Sequence, residues 1–183
     1  MDYTLKVRSL QSLVKDMNKG GIVLSHKLQR PEGQWNRKQK SDLIDSLLRH
    51  YPVNPTYGII EENGVLSIID GVQRLSTIRD YIEDKFALSK DMKLITIDNE
   101  EKDLSGLKFS KLDEDTQNEI LNLELQIYRI SDCTENDIRE IFRRQNAGKP
   151  LSPRHMRVVN ESDYLNSEIT KLIEHPFMYK VIT

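Results

Sequence analysis

The stretch Ile68–Ile78, IIDGVQRLSTI, changes its hydrophobic period halfway. Ile68 and Ile69 run into Asp70-Gly71, and beyond them Leu75, Ile78 and Ile82 fall at helical spacing. The reading is strand, tight turn, helix. Asp70 is placed to be the N-cap, and Gln73 three residues on completes a capping box, each side chain reaching the other's free backbone N–H. Arg74 is not explained by the cap, because it adds a fixed positive charge to a first turn that is already electropositive. Gly71 costs conformational entropy there and is useful where a backbone or a ligand must come close. Free N–H groups, a glycine and an arginine describe an anion site, best matched by phosphate. The spacing is neither a P-loop nor a G-x-G-x-x-G fingerprint.

Upstream, TYGIIEENGVLSIID reads as a hairpin: Tyr57–Ile60 and Val65–Ile69 flank Glu62-Asn63-Gly64, and Asn-Gly is a strong hairpin signal. Before it, Ser9–Lys19 reads as a helix closed by Gly20-Gly21, followed by an extended piece ending at Pro31. A second helix, Arg37–His50, buries Leu43, Ile44, Leu47, Leu48 and Tyr51, and Pro52 and Pro55 stop it. Downstream, the helix opened at Val72 runs to about Asp84. FALS and KLITI read as short strands, DLSGLKFSKL as loop, Asp113 as the cap of a helix through Leu121, and LELQIYRI as an alternating strand. Thr134 starts a helix with Asp137 at its third position and Ile138, Ile141 and Phe142 on one face. It ends at Asn146-Ala147-Gly148. Ser152-Pro153 opens another, and a last helical pattern covers Asp163–Glu174. The expected fold class is α+β: a small mixed sheet with intercalated helices, followed by C-terminal helices, and not a doubly wound alternation. The expected division is a domain at 1–150 and the start of a helical extension at 151–183.

A chain of 183 residues is long enough for one domain with a real core. Its single cysteine, Cys133, forms no internal bridge, and no basic-then-apolar leader or membrane-length apolar run is present, so a soluble cytoplasmic protein is expected. A net charge of −2 makes any polyanion site local. Between Arg139 and Arg157 the charges are Arg139, Arg143, Arg144, Lys149, Arg154 and Arg157 against Glu140 alone, whereas acidic residues gather between Asp84 and Glu119. Most such runs are solvated faces. Zinc spacing is absent, with His26, His50, His155 and His175 far apart, and no Ser-His-Asp or Cys-His arrangement is recognisable.

Three stretches resemble a prokaryotic family, the N-terminal domain of GmrSD-type restriction systems. IIDGVQRLSTI is similar to its D-G-Q-Q-R-L-x-T signature. KLQRPEGQWNRKQKSDLIDSLLRHYPVNP is similar to its Q-R-x-x-x-W segment and the I-x-S-L-L…Y-P helix after it. IFRRQNAGKPLSPRHMR is similar to its I-F-x-R-x-N-x-G-x-P-L-S block. The resemblance implies a ParB/sulfiredoxin-like fold and a domain that binds, and in members hydrolyses, a nucleoside triphosphate to control a nuclease in antiphage defence. It departs at Val72, where the family has glutamine; an apolar side chain neither orients water nor bonds a phosphate, so the implication reaches binding further than hydrolysis. The HNH-type nuclease of many members has no counterpart in this stretch, which suggests a stand-alone domain or a piece of a longer protein.

On this reading Asp70 and Gln73 are the candidate catalytic residues, with Asp70 also the candidate metal ligand. Arg74, Gly71, Arg30, Gln29, Asn146 and Lys149 are the candidate nucleotide-binding residues. Arg30 is brought near Arg74, where two guanidinium groups repel unless an anion lies between them. Asn146 and Lys149 sit before a helix start capped by Ser152, a second candidate cradle. Bland readings compete: Trp35 packs on the stripe around Leu43, Arg143 and Arg144 complement a helix end, Gly148 is a C-cap, and His155 is a surface histidine. The expected ligand is GTP, CTP or UTP with Mg2+, with NTPase activity as a candidate. The candidate partners are DNA, a nuclease domain or partner, and a second copy of the chain, with no membrane. The alternatives are a DNA-binding module using Arg139–Arg157 and, last, a direct metal-dependent nuclease, for which the clustered carboxylates of two-metal sites are not evident.

Overall fold

The structure, a computed structural model, describes residues 1–24, 32–97 and 99–145. It divides into two compact units, Met1–Cys133 and Thr134–Thr183.

The first unit is built on a five-stranded mixed sheet. Its strands are β1 (Asp2–Ser9), β2 (Ile22–Val23), β3 (Thr56–Ile60), β4 (Leu66–Asp70) and β7 (Glu124–Ser131), in the order β1-β7-β3-β4-β2. β3 and β4 form the antiparallel hairpin expected around Asn63-Gly64. β1–β7 is antiparallel, while β3–β7 and β2–β4 are parallel. A separate ribbon pairs β5 (Ile95–Ile97) with β6 (Glu100–Lys102). The helices are α1 (Leu10–Asn18), α2 (Arg37–Leu48), α3 (Val72–Ile82) and α4 (Glu114–Asn122), with a 3₁₀ turn at Phe109–Lys111. Leu66, Ile68, Leu125 and Ile127 of the sheet meet Leu10, Leu13, Ile44, Leu47, Leu75, Ile78 and Ile120 of the helices in one apolar core.

Local chemistry accounts for most boundaries. Ser9 caps α1 by accepting from the Ser12 N–H, Asn36 and Gln39 form a reciprocal capping box at α2, and Asp113 caps α4 through the Thr116 N–H. In the second unit, α5 (Glu135–Gln145) opens on Thr134 and Asp137, each bonding the other's backbone N–H at 2.8 and 3.2 Å.

Three expectations are corrected. Tyr51 is 59% exposed rather than buried: α2 ends at Leu48, and His50 turns through φ +54°, which takes the chain out of helical phase. FALS is not a strand; Arg37 donates to the carbonyls of Ala87 and Leu88, and the Ser41 hydroxyl accepts from the Ser89 N–H, so side chains of α2 satisfy this backbone. DLSGLKFSKL contains the 3₁₀ turn. Trp35 packs against the core and lines, with Arg37, Lys40 and Phe86, a cavity of about 390 Å³. The helices expected at Ser152 and at Asp163–Glu174 lie outside the described residues.

Candidate functional site

The site is where the hairpin hands the chain to α3. Strand β4 ends at Asp70, the next residue reverses the chain, and α3 begins at Val72. Gly71 is the N-cap, in the left-handed region at φ +100°. Asp70 is therefore not the N-cap: α3 has no side-chain cap, and the capping box with Gln73 does not form. The pairing of Tyr57 with Asp70 sets Thr56 beside the turn. A Cβ on Gly71 would stand 2.6 Å from Thr56 Oγ1 and 3.0 Å from Arg74 Nη2. What comes close to this glycine in the structure is thus the threonine of the neighbouring strand and the arginine of its own helix.

Arg74 is only 9% exposed. Its Nη2 donates to Asp70 Oδ2 at 2.8 Å and to the Pro55 carbonyl at 3.1 Å. This answers why a cation stands at an electropositive helix start, since a carboxylate four residues earlier offsets both the guanidinium and the exposed N–H groups. The compensation is incomplete. Among the described residues, Arg74 Nε and Thr56 Oγ1 are buried without a hydrogen-bond partner. Such groups cost about 1–3 kcal/mol each unless something polar reaches them.

Gln73 does a different task from the one expected. Its Oε1 accepts the Gln34 backbone N–H at 2.9 Å, while Glu32 accepts from Arg79 Nη2 at 2.6 Å. Helix α3 thereby grips Glu32 and Gln34 of the Q-R-P-E-G-Q-W stretch, an attachment that helical periodicity did not signal. Val72 is buried at 1% exposure and belongs to the core. Gln29, Arg30, Asn146 and Lys149 lie outside the described residues, as does the proposed approach of Arg30 to Arg74. Of the eight candidates, Asp70, Gly71, Gln73 and Arg74 are seen at one turn.

Thr56 and Pro55 were missed as site residues because only strand pairing brings them to the turn. Pro55 also borders a groove of about 690 Å³ lined by Tyr51, Val53, Glu119, Leu123 and Gln126 among others. Among the described residues no group of three or more His, Cys, Asp or Glu side chains is placed to hold a metal. In α5, Glu140 accepts from Arg143 at 2.7 and 2.8 Å and from Arg144 at 2.6 Å; Arg143 first, then Arg144, hold its carboxyl down at about 2. Arg139 pairs with Glu135 at 3.4 Å.

Fold and site together define an α+β domain in which a hairpin presents a left-handed glycine and a buried, carboxylate-paired arginine at the start of a helix. The chain belongs to the family of GmrSD restriction endonuclease N-terminal domains, whose model matches residues 10–158. No curated protein and no solved structure matches it. No helix among the described residues is long and apolar enough to cross a membrane.

Proposed function

We propose that this domain binds a nucleoside triphosphate at the Asp70–Arg74 turn and uses it to gate a partner nuclease, on a ParB/sulfiredoxin-like scaffold. The observation that carries the reading is the buried Arg74 guanidinium, whose Nε has no partner among the described residues, beside the Thr56 hydroxyl, which has none among them either. A phosphate in front of the α3 N-terminus supplies acceptors for the free N–H groups and for the guanidinium. Arg30, Gln29, Asn146 and Lys149 are proposed to complete the phosphate contacts.

The residues present fit Mg2+ only in the sparse way that ion favours. Asp70 offers one carboxylate, 29% exposed, and the phosphates and waters supply the remaining ligands. Bound there, the ion neutralises phosphate charge. Asp70 is shared between Arg74 and that role, so ligand binding and the Asp70–Arg74 pair compete for the same carboxylate. Hydrolysis would need Asp70 to polarise a water, with Gln73 orienting a phosphate; the Gln73 carbonyl oxygen already accepts from Gln34. Val72, inside the core, adds no polar group.

The DNA-binding alternative is weakened in α5, where Arg143 and Arg144 share Glu140 and Arg139 pairs with Glu135. Charges already paired within a helix release fewer counterions from a polyanion. The test is calorimetric titration with GTP, CTP and UTP in Mg2+, the matching nucleosides serving as controls. Saturable binding of a triphosphate but not its nucleoside is expected. Heats indistinguishable from dilution for all three would overturn the reading.

A further inference from the structure

Strand β1 is an edge: β7 borders it on one side, and no strand of the described sheet borders the other. It is eight residues long and alternates. Tyr3, Leu5 and Val7 form an apolar row that is 65%, 44% and 52% exposed, while Asp2, Thr4, Lys6 and Arg8 form the opposite row. The apolar row continues inward as an aromatic ladder: Tyr3 meets Tyr128 edge-on at 5.7 Å, and Tyr128 stacks on Tyr57 at 5.0 Å with planes 9° apart. A long edge with apolar alternates is an open pairing template.

We propose that β1 pairs antiparallel with β1 of a second copy of this chain, about a two-fold axis at Leu5. The strand is complementary to itself in that register. Leu5 faces Leu5, Tyr3 faces Val7, Thr4 faces Lys6, and Asp2 faces Arg8 with opposite charge. Arg8 is fixed at its end of the strand by Asp16 at 2.7 Å and by Ser12. The pairing closes, because a two-fold contact uses the same edge on both copies and leaves neither open. It merges two five-stranded sheets into one continuous sheet. Nucleic acid is disfavoured on the apolar row, which carries no cation. The surface lies in residues 2–9, ahead of the family-matched residues 10–158, and the inference is independent of nucleotide binding.

The test is sedimentation equilibrium of the 183-residue chain and of two variants at the exposed Thr4. Thr4→Lys sets two like-charged pairs across the axis, and Thr4→Glu sets two opposite ones. We expect a concentration-dependent dimer, weakened at least tenfold by T4K and tightened by T4E. A cooperative thermal melt of each variant at low concentration shows that each folds, the small change in melting temperature expected there coming from the Thr4–Arg129 cross-strand pair within one copy. A monomer at all concentrations up to about 100 µM, or a dimer whose dissociation constant is the same in all three, would overturn the proposal.

Discussion

Gly71 has two separate reasons to be glycine, and they add. Its φ of +100° is strained for any L side chain, and a Cβ would meet Thr56 at 2.6 Å. The backbone cost is about 1–2 kcal/mol and overpacking adds about 1–3 kcal/mol. Gly71→Ala is therefore expected to lose about 2–5 kcal/mol in urea unfolding; a loss below about 1 kcal/mol would mean that the turn relaxes freely. Tyr81 makes the opposite case. It lies in the core against Phe86 and Phe109, and burial first, then the Asp84 charge, pushes its phenol far above the ordinary value. Its hydroxyl has no hydrogen-bond partner among the described residues. Removing an unsatisfied buried hydroxyl relieves a desolvation cost. Tyr81→Phe should leave stability unchanged or raise it by about 1 kcal/mol, and a clear loss by the same measurement would reveal a hidden partner. At this scale the sequence made Arg74 conspicuous, since a cation in a first turn needs a reason, but it misassigned Asp70. A side chain four residues before an arginine serves as well for an ion pair as for a cap, and only the left-handed Gly71 decides between them.

Elements whose causes are local were legible. Asp113 and Thr134 cap the helices they were expected to open, the helix expected from Ser9 is present with Ser9 as its cap, and Asn-Gly sits in the expected hairpin. Strand β1 was not read, because its partner lies more than 110 residues away, as Ser9↔Glu124 and Asp2↔Ser131 show, and its apolar alternates are exposed. FALS failed for a related reason, its backbone being satisfied by side chains of α2 that no local pattern announces. The cap of α4 yields a pH prediction. Asp113 accepts from Lys102 Nζ, the Thr116 N–H and the Thr116 hydroxyl; Lys102 first, then Thr116, hold its carboxyl far below the carboxylate range. A depressed folded value means that the stabilisation is present above the unfolded value of about 4 and is lost as pH falls toward the folded one. Asp113→Asn keeps a capping oxygen without the charge. Wild type should therefore lose melting temperature more steeply than D113N below about pH 4, and parallel curves would contradict this origin of the shift.

For the whole molecule, the parts already seen converge on one turn. The hairpin positions Thr56 and Pro55, α3 supplies Gln73 and Arg74, and Glu32 and Gln34 are tied down onto the same helix. A ligand specific to the folded state adds stability by mass action, about 2.7 kcal/mol at a hundredfold excess over its dissociation constant. For a chain of this size that corresponds to roughly 5–10 °C. Asp70→Asn should keep triphosphate binding while losing its dependence on Mg2+; equal Mg2+ dependence in D70N and wild type would remove Asp70 as the metal ligand. The most direct measurement is a thermal-shift series with triphosphate and Mg2+ on wild type and on Arg74→Gln, which removes the charge and retains hydrogen-bonding capacity. A rise of several degrees is expected in wild type and none in R74Q at the same ligand concentration. An equal rise in both proteins would mean that no triphosphate is held by Arg74.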